Sequence, residues 1–183
     1  MYIIRIALLV VTMLLPSIVL AENSSNYIGV NAATFDSKYS TIEHDGAMVN
    51  FGYDMNNYLA LEVAGGTSKT NTDQLTTDTS KINYAASVFL RLNLRFSRVT
   101  VYALAGYSKV ESATTSGTVT TTTTDNSNSY GYGIDFYGTR DLALSFRRVE
   151  FFDNEELTGN RHLGATMVGI TYYFDTPKIQ SRY

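Results

Sequence analysis

Between residues 82 and 94 the chain alternates in period two. Ala86, Val88, Leu90, Leu92 and Leu94 fall on one face, and Ala85, Ser87, Phe89, Arg91 and Asn93 on the other. That is the pattern of a strand lying between two unlike environments. No other feature constrains the fold so strongly, because the same alternation recurs along the chain with almost no helical periodicity. Past the N-terminus there is no second apolar run that approaches a helical span. If such a chain enters a membrane it enters as a closed barrel, because lipid offers an open sheet edge no hydrogen-bond partners.

Eight strands can be read. Residues 27–35 place Ile28, Val30 and Ala32 opposite Gly29, Asn31 and Ala33, and residues 46–53 place Val49, Phe51 and Tyr53 opposite Asn50 and Gly52. Residues 58–67 follow, with Leu59, Leu61 and Val63 opposing Ala60, Glu62 and Ala64. Residues 82–94 are the fourth. Residues 99–110 alternate weakly, with Tyr102 and Leu104 assigned outward. Residues 130–137 set Tyr132, Ile134 and Phe136 against Gly131, Gly133 and Asp135. Residues 142–151 and 162–174 complete the count. Asp54-Met55-Asn56-Asn57 and Gly138-Thr139-Arg140-Asp141 are turn chemistry. The connections after strands two, four and six hold about four residues, whereas the others are longer and reach roughly 18 residues at 111–129. Short periplasmic turns and long extracellular loops give outer-membrane barrels this parity.

The N-terminus supplies an export route. Arg5, an apolar run at 6–15, Pro16 and then Val19-Leu20-Ala21 have the layout of a cleaved signal peptide over residues 1–21. The run is short for a transmembrane helix and Pro16 interrupts it. With no cysteine in the chain, a lipid-anchored lipoprotein and a disulfide-stapled scaffold are both excluded. The remaining 160 or so residues suit one domain. A net charge of −3 argues against a nucleic-acid partner.

The closing segment Gly169-Ile170-Thr171-Tyr172-Tyr173-Phe174 alternates and carries aromatics at Tyr172 and Phe174. On a final exposed strand of a soluble sheet these would invite aggregation, whereas a barrel in lipid wants aromatics at its interfaces. With the glycine-aromatic stretches Leu104-Ala105-Gly106-Tyr107 and Ser129-Tyr130-Gly131-Tyr132-Gly133-Ile134-Asp135-Phe136, it makes the chain resemble the small eight-stranded outer-membrane barrels, a family that includes the outer membrane protein A transmembrane domain and the adhesion and invasion proteins. The resemblance implies an all-β, up-and-down antiparallel eight-stranded transmembrane barrel over residues 22–174. It also implies a Gram-negative outer-membrane location, among lipid and lipopolysaccharide, and a monomer delivered by the barrel-assembly machinery. Gly169, Tyr172 and Phe174 would be the assembly signal. Residues 175–183 form a short polar periplasmic tail, a departure from family members that end at the final aromatic.

With the apolar faces toward lipid, the interior receives Asn31, Asn50, Glu62, Arg91, Asn93, Asp135, Ser145, Arg147 and Thr171, with Tyr27 and Tyr173 near the periplasmic end. Glu62 and Arg91 lie on neighbouring strands, as do Asp135 and Arg147, so two neighbouring ion pairs are expected inside. The interior of eight strands is just wide enough for side chains to fill, and buried charges there must be paired. A filled, closed barrel is the leading expectation, with a narrow gated pore as the alternative.

Catalysis has little support. His44 and His162 are the only histidines, and no Gly-x-Ser-x-Gly elbow is present. His162 near Glu150 or Ser145 is the one arrangement to test for a lipid-modifying enzyme. Asp73 with Asp78, or Asp153 with Glu155 and Glu156, are loop acids rather than a metal site, and no cofactor is expected. Arg147, Arg148, Arg161 and His162 are candidates for lipid A phosphates. Hydroxyl-rich tracts at 69–80 and 112–129 favour extended structure, so the barrel walls are expected to continue above the membrane as hairpins. They are the candidate surface for host or other cells.

Overall fold

The computed structural model describes residues 25–37, 40–72, 79–154 and 161–174. The expected signal peptide at 1–21, the expected tail at 175–183, and the acids Asp73, Asp78, Glu155 and Glu156 lie outside the described residues. Eight long strands and one short piece form a single antiparallel sheet: β1 (Ser25–Ser37), β2 (Ser40–Asp54), β3 (Leu59–Ser68), β4 (Asn71–Thr72), β5 (Thr79–Phe96), β6 (Val99–Ser116), β7 (Val119–Tyr137), β8 (Leu142–Asn154) and β9 (Arg161–Tyr173). Each long strand pairs with its sequence neighbour, β1 pairs with β9, and β3 pairs with β5 past the two-residue β4. The sheet is therefore closed: an eight-stranded up-and-down barrel.

The strands are staggered. Register partners of Arg148 run through Tyr132, Ala103 and Leu92 to Leu59 in one direction. In the other they run through Thr166 and Thr34 to Asp45, whose carbonyl accepts from Lys69 N. The two routes reach β3 ten residues apart, at Leu59 and at Lys69. Such a shear requires strands tilted from the barrel axis, so residues at one height are not register partners.

One end carries the tight turns. After β2, Asn56 Oδ1 accepts from Tyr58 N and Leu59 N at 2.8 and 2.9 Å. After β5 only Ser97 and Arg98 intervene, with Ser97 in the left-handed region (φ 42°). After β7, Thr139 Oγ1 accepts from Leu142 N at 3.1 Å. The other end bears out the expected extension of the hydroxyl-rich tract as a hairpin and corrects the long connection read between strands five and six. The 111–129 connection is not a loop: β6 and β7 continue in register to Ser116↔Val119 around Gly117 (φ 60°) and Thr118. Likewise β1 and β2 run on to Ser37↔Ser40. The asymmetry between the ends thus lies less in loop length than in how far the strands outrun the barrel. Three bulges, between Phe35 and Ser37, Ile82 and Tyr84, and Glu150 and Phe152, all lie toward this hairpin end, the rim position that bulges favour.

The outer surface is apolar over the lower barrel. Val30, Leu94 and Phe96 are 58%, 59% and 60% exposed, and Leu61, Val88, Tyr132, Ile170, Tyr172 and Phe174 join them. A belt of this size has no counterpart on a water-soluble surface. Above it the outward positions turn polar: Asp36, Asp45, Lys81, Lys109, Arg148 and Glu150. One orientation was read wrongly. Tyr102 and Leu104 are each 2% exposed and face the interior, while Val101, Ala103 and Ala105 face out. Both faces of β6 are apolar, so alternation alone cannot orient it. Pairing does, because Arg91↔Leu104 and Asn93↔Tyr102 put those residues on the side that holds Arg91.

Candidate functional site

The interior is built in two layers. The lower layer is polar, and its charges come from β3, β5, β7 and β8. Arg147 donates from both terminal nitrogens to Glu62, at 2.7 Å to Oε1 and 3.3 Å to Oε2. Arg91 Nη2 donates to Asp135 Oδ2 at 2.6 Å, its Nε donates to Asn93 Oδ1 at 2.7 Å, and its Nη1 stands 3.7 Å from Glu62 Oε2. All four charged side chains are essentially removed from solvent, and two carboxylates balance two guanidiniums.

Of the two neighbouring ion pairs expected, Glu62–Arg91 is present as a longer contact at 3.7 Å, whereas Asp135 and Arg147 take other partners. Glu62 takes its close partner, Arg147, from the opposite wall, four strands away in either direction. Asp135 takes Arg91 across the intervening β6 rather than Arg147. Arg147 lies beside Gly133 in the register, two residues from Asp135. In a narrow lumen a guanidinium on its long stem reaches the far wall as easily as the next strand, and stagger decides which carboxylate it meets.

Around the charges the oxygens are shared out. Tyr27 donates to Glu62 at 2.9 Å and Tyr173 donates to Asp135 at 3.1 Å. Asn50 donates to Glu62 at 3.3 Å and accepts from Asn31 at 2.9 Å. Ser145 and Thr171 form a hydroxyl pair at 2.7 Å. The Arg91 guanidinium also lies 3.6 Å from the Tyr102 ring centroid, a cation–π contact strengthened by desolvation. Glycine makes room for that ring: a Cβ on Gly133 would overlap the Tyr102 phenol, as one on Gly52 would overlap Tyr27. Toward the short-turn end, Asp54 accepts from Arg95 at 2.6 Å and from Ser25 at 2.8 Å. There Tyr27, Tyr173 and Tyr137 stack with centroids 5.2 and 5.4 Å apart.

The upper layer is apolar and was not anticipated. Phe35, Met48, Phe89, Leu104, Val149, Phe151 and Met167 pack as one buried cluster, with Phe35 stacked on Phe151 at 6.0 Å. The signal was present in the sequence. Inward positions of β1, β5, β8 and β9 change from polar to apolar toward the hairpin end, just where outward positions change the opposite way. Within the belt the barrel is apolar outside and polar inside; above it the polarity reverses to that of an ordinary globular core.

The remaining candidates separate. Ser145, bonded to Thr171, aligns with Gly169 of β9, seven residues from His162, so those two are not brought together. The His44 Nε2 atom does lie 3.4 Å from Ser80 Oγ, but among the described residues His44 Nδ1 has no hydrogen-bond partner to orient the ring as an activated serine–histidine pair requires. Burial lowers the His44 imidazole below its ordinary pKa and favours its neutral form. Among the described residues no three His, Cys, Asp or Glu side chains gather as a metal site would require. Arg147 faces inward, whereas Arg148 sits on the outer face, held by Asp36 and Glu150 at 2.7 Å each. The side chains of Asp153, Arg161 and His162 lie outside the described residues. Gly169, Tyr172 and Phe174 sit on or just past β9, which closes the barrel against β1, and the Tyr172 and Phe174 rings meet edge to face at 5.3 Å on the outer surface.

Residues 6–174 match the model of the outer membrane protein beta-barrel domain. The chain belongs to this family. Its surroundings are therefore the lipid and lipopolysaccharide of a Gram-negative outer membrane. No curated protein matches the sequence. Among solved structures it is similar to Ail, the attachment invasion locus protein of Yersinia pestis, in complex with the heparin analogue sucrose octasulfate. That match has 17% identity and a TM-score of 0.58, covering 82% of this chain and 97% of that one. It is also similar to Neisserial surface protein A, at 15% identity and TM-score 0.60 over 82% and 97%. The N-terminal β-barrel domain of Pseudomonas aeruginosa OprF gives 12% identity and TM-score 0.60 over 82% and 99%. At these identities the likeness is one of fold.

Proposed function

We propose that this protein is a closed, monomeric outer-membrane barrel that presents its long hairpins for contact with other surfaces. The observation that carries this reading is the division of the molecule. Its lumen is filled by an ion-paired layer and an apolar layer, while β5, β6 and β7 extend a threonine-rich sheet above both. A barrel built to conduct has no use for two stacked plugs. A barrel built to hold a platform gains rigidity from them. Ail, the attachment invasion locus protein, has a similar fold and supports the adhesive side of the reading. The reading includes no catalytic role, export by cleavage after Ala21, and Gly169, Tyr172 and Phe174 as the strand read by the assembly machinery.

Shortening the hairpin tests it. Removing the five register pairs from Ser112↔Thr123 to Ser116↔Val119 seats Gly117-Thr118 on the pair Glu111↔Thr124 and leaves the barrel intact. Bacteria displaying this variant should lose attachment to cultured cells relative to the parent, at equal surface abundance. Unchanged attachment would remove the adhesive reading.

A further inference from the structure

Among the described residues the protruding sheet has an open edge along β7. β6 and β7 stay paired as far as Ser116↔Val119, and β5 covers β6 up to Thr79↔Thr115. β7 loses its other ladder much earlier: its last ladder pair with β8 is Tyr130↔Glu150, beyond which the Ser127 and Ser129 hydroxyls still reach β8, both at the Phe151 carbonyl. Among the described residues, 119–124 therefore pair with β6 alone. Edge strands are normally guarded by lysine, proline, a bulge or an inward charge. Val119-Thr120-Thr121-Thr122-Thr123-Thr124 has none of these. The run has a strong preference for extended backbone and offers a free template for strand addition.

We infer that this edge pairs antiparallel with the same edge of a second copy standing in a facing membrane. The symmetry of the edge chooses that geometry. An antiparallel pair of identical strands has its two-fold axis perpendicular to the sheet. The protruding sheet continues the barrel wall, so its perpendicular lies in the plane of the membrane. Rotation about such an axis inverts the membrane normal and places the second copy opposite, as between two cells. A copy in the same membrane is related by an axis along the normal. Its edge would then run in the same direction and set N–H against N–H and C=O against C=O, which forms no ladder.

The side chains fit a copy as well as the backbone does. Centred on Thr122, the pairing puts Thr122 opposite itself, Thr121 opposite Thr123 and Thr120 opposite Thr124. Directly opposed threonines are favourable cross-strand pairs, and no charge meets its like in this stretch. Five residues make a weak contact singly. Its strength comes from many copies between two surfaces.

The inference rests on the proposed surface role and names its partner. The test uses lipid vesicles carrying the whole protein. Vesicles with the unaltered chain should clump, as read by light scattering. Populations carrying Thr122→Lys or Thr122→Glu should each stay dispersed, because like charges then face each other across the axis, and mixing the two should restore clumping. Thr122 is exposed, so both variants should fold, with retained far-UV circular dichroism as the check. Dispersed unaltered vesicles, clumping indifferent to Thr122, or a mixture that stays dispersed would each overturn the pairing. If hairpin shortening still abolishes attachment to other cells in that event, the pairing fails and the adhesive reading stands.

Discussion

Glu62 gathers four interior side chains around one carboxylate. It accepts from Arg147 twice, from Tyr27 and from Asn50, and it faces Arg91 at 3.7 Å. Arg91 retains Asp135 if Glu62 is removed, but neither Arg147 hydrogen bond has another acceptor. Glu62→Ala should therefore destabilise the barrel by about 3–5 kcal/mol, the typical cost of stranding a buried charge. Glu62→Ala with Arg147→Met should recover part of that loss, as contacting residues couple. Urea unfolding in lipid vesicles checks both, and a double variant worse than the single one would contradict the pairing. Gly133 makes a second case. Gly133→Ala drives a methyl group into the Tyr102 ring that carries Arg91, and should cost about 1–3 kcal/mol as overpacking does. The same change at Gly138, where nothing lies within 4 Å of the added carbon, should be far milder.

Among the strands, what the sequence reveals depends on contrast between faces. β5 could be oriented at once because Leu90 and Leu92 flank Arg91. β6 could not, because Val101 and Ala103 are as apolar as Tyr102 and Leu104, and only the ladder to β5 resolves it. The upper halves of β6 and β7 were legible as extended hairpins from their threonines, but both faces are solvated, so the run shows no alternation that would fix its register or its end. The ion-pair partners were illegible because they depend on the stagger of distant strands, which no single strand encodes. The inward switch from Glu62 and Arg91 to Phe89 and Phe151 was legible and was passed over, since a filled lumen was expected to be filled with polar groups. β9 offers an element-scale prediction. Its ladder to β1 ends at Tyr27↔Tyr173, and Phe174 N donates to Asn26 O. The described pairing of β9 with β1 is therefore complete at Phe174. Truncation after Phe174 should leave assembly intact, as measured by protease-resistant barrel in outer-membrane fractions. Loss of assembly would move the signal from Gly169, Tyr172 and Phe174 into residues 175–183.

For the whole molecule, the reversal of polarity at the rim governs permeability as well as shape. An ion entering from the short-turn end meets neutralised charges: Arg91 is held by Asp135, and Arg147 by Glu62. Weakening that layer alone should not open a path, because the ion next reaches Phe35, Phe89, Phe151 and Met167, among which the buried hydroxyls of Ser87, Ser108 and Ser129 are already hydrogen-bonded. An apolar constriction blocks ions by excluding water. The two layers act in series, so opening either leaves the other closed. Planar-bilayer recordings of the unaltered protein should thus show no steady conductance, and neither should Glu62→Ala with Arg147→Met. Phe35→Ala with Phe151→Ala removes the stacked pair from the apolar layer and should still not conduct. Only the four changes together should give measurable current. Steady conductance in the unaltered protein, abolished by Arg91→Ala or Glu62→Ala, would instead make the ionic layer a gate. The long hairpins would then be secondary to transport.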